Sequence, residues 1–152
     1  MEEAHRKAIE QKLARSFVEQ VPFHRTLGLT EESFDFENGT IKLSTTDELV
    51  GNPIFKILHG GAIAALLDIE GAFLIALDVV RNRRTSIQKG DQLGKGGTID
   101  MRIDYIMPGK GSEFTASGAI VRLGNKVAVI RSELHNERGE LIAMGTATYL
   151  IA

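Results

Sequence analysis

The chain has 152 residues, the size of one domain, and 43% of them are hydrophobic, enough for a core at this length. Its formal net charge of −2 gives no electrostatic case for nucleic acid or an anionic membrane surface. It has no cysteine, which excludes a disulfide framework, a thiolate zinc site and a cysteine nucleophile, and suits a reducing cytoplasm.

The first twenty residues carry charges throughout and no apolar h-region, so they are expected to be a helix over 3–20 rather than a signal peptide. Ala8, Leu13, Phe17 and Val21 recur at roughly helical spacing, and Pro22 ends the helix. Residues 22–28 read as a linker or short turn. This divides the chain into an N-terminal helix and linker, 1–26, and a domain, 27–152. Residues 29–36 and 40–46 are short β-type runs, and Glu37-Asn38-Gly39 between them carries the Asn-Gly signal of a hairpin. Residues 47–58, with Pro53, read as irregular.

Residues 59–80 read as a long helix opened by His59-Gly60-Gly61. Its segment 62–80 is apolar enough to raise the question of a membrane span. Asp68 and Glu70 sit in its middle and would be costly in a bilayer, so a buried core helix is expected instead. Residues 81–97 hold Gly90, Gly94, Gly96 and Gly97 among charges and read as a loop. Then Ile99, Met101, Ile103 and Tyr105 alternate with polar residues ahead of Pro108-Gly109. Strands follow over 113–123 and 126–136, joined by Gly124-Asn125, and over 141–151. The order predicts an α+β fold in which an antiparallel sheet wraps a long apolar helix. The last strand is apolar or small on both faces, which predicts a second subunit against one of them.

Asp68 is the informative residue. A carboxylate among Leu66, Leu67, Ile69 and alanines loses hydration and must be paired, exposed or functional. From composition alone two readings stay open: a general base, or a carboxylate pointing into a polar seam. His59-Gly60-Gly61 is the second element. The first-turn N–H groups of a helix have no intrahelical partners, and glycine lets a ligand approach them closely, which suits a carbonyl oxygen gaining negative charge. Glycine pairs are also common in turns. Gly60 and Asp68 lie eight residues apart, ~12 Å along one helix. One side chain cannot span that, so if both act on one carbonyl they must come from two copies of the helix, related by a two-fold axis.

Other signals are weaker. Arg81, Arg83, Arg84 and Lys89 suit either phosphate binding or a solvated helix end. Glu70, on another side of the helix from Asp68, suits pairing with an arginine or lining a pocket. His5, His24 and His135 are too scattered for a metal site. Gly94-Lys95-Gly96-Gly97 lacks the spacing and following hydroxyl of a phosphate loop. No G-x-S-x-G motif is present, against a serine hydrolase. Phe34, Phe36, Phe55 and Phe73 suit core packing or an acyl pocket.

The run Leu58-His59-Gly60-Gly61-Ala62-Ile63-Ala64-Ala65-Leu66-Leu67-Asp68 resembles the HGG-x-x-x-x-L-x-D signature of PaaI-like hotdog thioesterases. The run from Gly97 through Tyr105 to Pro108-Gly109-Lys110 is similar to that family's strand after its variable loop. Ala143-Met144-Gly145-Thr146 is similar to its closing strand. The resemblance runs from about Leu27 to the C-terminus. It implies a hotdog fold and hydrolysis of acyl-CoA or aryl-acyl-CoA esters, with no cofactor or metal. It also implies homodimers that pair into tetramers. Asp68 matches the catalytic carboxylate and Gly60 the residue whose N–H polarises the thioester carbonyl. His59 matches the motif histidine and Thr98 a hydroxyl residue that helps hold the water. Asn52 resembles an asparagine before the motif, one residue further from His59 than in the family pattern. Gly61, Arg81, Arg84 and Phe55 are the remaining candidates for contact with substrate. Two alternatives stay beside hydrolysis: a non-catalytic acyl-CoA-binding module, and a hotdog hydratase or dehydratase, whose His-and-carboxylate pattern is not found here.

Overall fold

The structure, a computed structural model, describes residues 2–82 and 96–151. Helix α1 (Glu2–Glu19) ends ahead of Pro22, and Pro22 then opens a short helix, α2 (Pro22–Thr26), where a linker was expected. Proline at the first helical position has no N–H to leave unbonded and its φ is already helical. Arg25 donates to the carbonyls of Val18 and Glu19 at 2.9 and 2.7 Å, satisfying acceptors at the end of α1. Phe17 ties this N-terminal pair to the body, its ring edge-on to Phe34 at 5.6 Å and Phe73 at 6.1 Å. His24 stacks on Phe17 and donates Nδ1–H to the Phe17 carbonyl at 2.7 Å.

The first expected strand is mostly a turn. Thr30 and Ser33 cap each other around a 3-10 turn at Glu31–Ser33, leaving only Phe34–Asp35 as β1. Its partner β2 (Thr40–Ser44) follows a four-residue loop rather than a two-residue turn. The Asp35 carboxylate accepts from the backbone N–H of Glu37 and Asn38 and from the Asn38 amide, and Gly39 closes the loop at φ +64°. The segment expected to be irregular holds a 3-10 turn (Asp47–Leu49) and a small hairpin of β3 (Val50–Asn52) and β4 (Ile57–Leu58).

Helix α3 (Gly60–Asn82) is the long central helix. Of the expected loop 81–97, residues 83–95 lie outside the described residues, Arg81 and Asn82 continue α3, and Gly97 opens β5. Strands β5 (Gly97–Tyr105), β6 (Glu113–Leu123), β7 (Val127–Asn136) and β8 (Leu141–Leu150) agree closely with the alternating runs. The main sheet has the order β1-β2-β6-β7-β8-β5 and every pairing in it is antiparallel.

Period-two alternation turns Phe114, Ala116, Ile130, Leu134, Ala147 and Tyr149 inward, and the helix lays Ile63, Leu66, Leu67, Phe73 and Leu77 among the buried residues. Beneath the helix, Gly118, Ser132 and Gly145 form a row in register across β6, β7 and β8. A Cβ at Gly118 would come within 2.9 Å of the Leu74 side chain and 2.8 Å of the Arg131 carbonyl, so these small residues let the helix sit close. On another side of the helix, Gly61, Ala64, Ala65, Asp68 and Ala72 are not fully buried. Strand β5 is an edge of the sheet, and Ile99, Tyr105, Ile106 and Met107 are exposed along and just beyond it.

Candidate active site

The segment entering α3 is pinned almost atom by atom. Leu58 N–H donates to Gly109 O and His59 N–H to Leu49 O, both at 2.8 Å. Gly61 N–H donates to His59 Nδ1 at 2.8 Å, so His59 acts as the helix cap. Ala62 and Ile63 N–H both donate to His59 O. In this run of six N–H groups, that of Gly60 has no partner among the described residues. The His59–Gly60 peptide is trans, and its carbonyl points into the helix, so Gly60 N–H points out of the helix end, where the dipole is positive. Gly51 allows this packing, because a Cβ there would lie 2.7 Å from His59 Cα. Tyr105, at the end of β5, donates its hydroxyl to Gly60 O at 2.9 Å.

Asp68 lies two turns further along α3. Its Oδ1 accepts the Thr98 hydroxyl at 2.6 Å, in the short range of hydrogen bonds to an ionised acceptor. Its backbone carbonyl accepts the Tyr149 hydroxyl at 2.9 Å. The Tyr149 ring fits there because residue 71 is glycine, where a Cβ would stand 2.1 Å from the phenol oxygen. Burial, then the nearby Asp68 charge, push the Tyr149 hydroxyl well above the ordinary phenol range, so it stays a donor. The structure therefore brings Thr98 and Asp68 together. It adds Tyr105 and Tyr149, to which sequence reasoning gave no role beyond membership of their strands.

Glu70 pairs with no arginine among the described residues and does not meet solvent. It is fully buried on the stripe of α3 that includes Leu66, Leu67 and Phe73, and neither carboxyl oxygen has a hydrogen-bond partner among the described residues. Burial pushes its pKa up to about 9, so it is neutral at pH 7.

A family model for the thioesterase superfamily matches residues 55–143, the stretch that contains both Gly60 and Asp68. The chain belongs to the thioesterase superfamily. It is 42% identical over 138 residues to the medium/long-chain acyl-CoA thioesterase YigI of Escherichia coli (strain K12), covering 89% of this chain and 88% of that relative. A crystal structure of a Shewanella oneidensis protein related to the thioesterase superfamily matches with a TM-score of 0.84 and 39% identity, over 97% of each chain. A Bacillus halodurans protein solved with CoA matches with a TM-score of 0.58 and 28% identity, over 73% of this chain and 65% of that one. The wrapped helix is thus the hotdog fold of this superfamily.

The other candidates in this thioesterase-superfamily chain are placed less centrally. Asn52 Oδ1 accepts from Ile54 and Phe55 N–H, closing the tip of the β3–β4 hairpin. Phe55 stands exposed on that tip. The Arg81 guanidinium donates to the carbonyls of Phe36 and Glu37, capping the first hairpin. Arg84 lies outside the described residues. Among the described residues no group of three or more His, Cys, Asp or Glu converges as a metal site, and no helix is long and apolar enough to cross a membrane.

Proposed function

We propose that this chain hydrolyses medium- and long-chain acyl-CoA thioesters as a homodimer, each active site taking Asp68 from one subunit and Gly60 N–H from the other. The observation that carries this is the pair of prepared groups on α3: an outward N–H at Gly60 without a partner among the described residues, and a carboxylate held by Thr98 at Asp68. They lie ~12 Å apart along the helix, too far to meet on one carbonyl within a single chain. The acyl-CoA specificity of the relative YigI and the CoA held by the Bacillus halodurans protein support the substrate class.

In this mechanism Asp68 takes a proton from water as the oxygen attacks the thioester carbonyl. The carbonyl oxygen gains charge against Gly60 N–H, and the tetrahedral intermediate expels the CoA thiolate. The proton on Asp68 then passes to the thiolate, leaving free acid and CoA. The open stripe of Gly61, Ala64, Ala65 and Ala72 around Asp68 supports close approach of a second α3, and the exposed β5 edge supports continuation of the sheet across the two-fold axis. Pairing of dimers into tetramers and the PaaI-like subdivision rest on the motif from His59 to Asp68. The cysteine-free composition supports a cytoplasmic setting.

The test is thiol release from a panel of acyl-CoAs of increasing chain length. Asp68→Asn keeps the shape and is expected to lose about a hundredfold or more in kcat. Gly60→Pro removes the N–H at the first helical position, where proline is common, although its Cβ would press on the Tyr105 ring, and it should be similarly impaired. Mixing the two variants under exchange is expected to restore about a quarter of wild-type activity, since half the dimers are mixed and each has one intact site. No restoration in verified mixed dimers would overturn the shared site. Unimpaired Asp68→Asn would remove Asp68 as the base.

A further inference from the structure

We propose that Tyr105 is a positioning residue for catalysis, holding the Gly60–Gly61 peptide so that Gly60 N–H stays aimed at the thioester carbonyl. This rests on the proposed role of Gly60 as the oxyanion donor.

The Gly60 N–H belongs to the His59–Gly60 peptide, whose carbonyl is fixed by two helical hydrogen bonds, from Ala62 and Ile63. The next peptide joins two glycines, the residue type with the greatest backbone freedom, at the fraying end of a helix. Fraying of that peptide would unwind the first turn, break the bonds that hold the His59 carbonyl, and so let the donor turn away from its target. In this fold that peptide is gripped on both sides. Its carbonyl accepts the Tyr105 hydroxyl at 2.9 Å, and its N–H donates to His59 Nδ1 at 2.8 Å. The Tyr105 ring also lies against Gly60, where a Cβ would meet Cε1 at 3.3 Å.

Two features argue that this contact serves the reaction rather than the fold. Tyr105 is 55% exposed in the single chain, so its ring fills no core space within its own subunit, although its β5 edge faces the proposed partner. It also stands at one end of β5, whose other end supplies Thr98 to Asp68. One strand thus delivers a hydroxyl to the element behind each catalytic group. A hydrogen-bond donor improves a transition state only if it is already oriented when charge develops, and a clamp on flexible backbone supplies that orientation.

The experiment compares wild type with Tyr105→Phe, and with His59→Ala and the double variant. It reads single-turnover hydrolysis, KM, and the infrared carbonyl band of a bound acyl-CoA ketone analogue with a methylene between carbonyl and sulfur. Tyr105→Phe is expected to slow turnover about tenfold or more with KM changed less than about twofold, since only transition-state stabilisation is lost. The carbonyl band should move to lower frequency on binding wild type and move less in the variant. Losses from Tyr105→Phe and His59→Ala should be less than additive, because both grip one peptide. A folded Tyr105→Phe with wild-type turnover and band position would overturn the positioning role and leave the Gly60 reading standing. A wild-type complex with no band shift would instead remove Gly60 as the donor, and this inference with it. If Tyr105→Phe fails to fold, fluorotyrosines at position 105 tune the hydroxyl without altering the ring packing. Turnover insensitive to that series would equally overturn the role.

Discussion

Thr98, on the edge strand, holds Asp68, on the central helix, through a 2.6 Å hydrogen bond from its hydroxyl to Oδ1. The bond fixes one carboxylate oxygen; in the proposed mechanism the other meets water. Removing it frees the side chain to rotate. Thr98→Val, which keeps the shape, is expected to lower kcat about ten- to a hundredfold, the range for a hydrogen bond to a charged group. Thr98→Ser restores the hydroxyl and is expected to recover most of that loss. Steady-state kinetics on the three proteins decides it; Val and wild type alike would mean Asp68 needs no anchor.

Glu70 is expected to make stability fall with rising pH. Its carboxyl titrates near the ordinary 4.5 when unfolded and at about 9 when folded. Between those values the unfolded chain gains by ionising and the folded chain does not, so stability is greatest below about 4.5 and declines through about 9. At ~1.4 kcal/mol per pH unit the full effect is at most on the order of 6 kcal/mol. Glu70→Gln cannot ionise, and its denaturation midpoint should fall less steeply with pH than that of wild type. Parallel pH profiles for the two proteins would show that Glu70 is not buried neutral.

Gly71 is expected to tolerate no side chain. Gly71→Ala puts a methyl 2.1 Å from the Tyr149 phenol oxygen and 2.5 Å from Cζ, against a ring that the sheet holds in place. Overpacking of this kind costs about 1–3 kcal/mol. Tyr149→Phe removes only the hydrogen bond to the Asp68 carbonyl and should cost about 1 kcal/mol. Urea unfolding should rank Gly71→Ala as the more damaging; the reverse order would mean the ring has room to move.

The strands from Gly97 onward were legible because Ile99, Met101, Ile103 and Tyr105 alternate cleanly and turn residues separate the next runs. The central helix was legible because little but a packed helix suits so long an apolar stretch. Elements built from one or two local hydrogen bonds were not. The reciprocal Thr30–Ser33 cap replaced an expected strand, and proline at the start of a helix turned an expected linker into α2. Tyr105 and Tyr149 escaped notice because their partners are backbone carbonyls 45 and 81 residues away, which no local pattern records. Arg81 read as a helix-end or phosphate cation, yet it reaches back to the first hairpin, a contact that only the packed fold creates. Glu70 could have been placed from spacing alone, since it falls three and four residues after Leu67 and Leu66, on the stripe that packs inward.

The row of Gly118, Ser132 and Gly145 beneath α3 ties the sheet to the chemistry. Gly60 and Asp68 ride on one stiff rod, and small residues outside the candidate site, Gly118 above all, let that rod sit close to the sheet. A methyl added under the middle of the helix would lift both ends together, misaligning both sites of the proposed dimer at once. For this protein a sequence change that looks like a mere packing defect is also a change in the tuning of the enzyme.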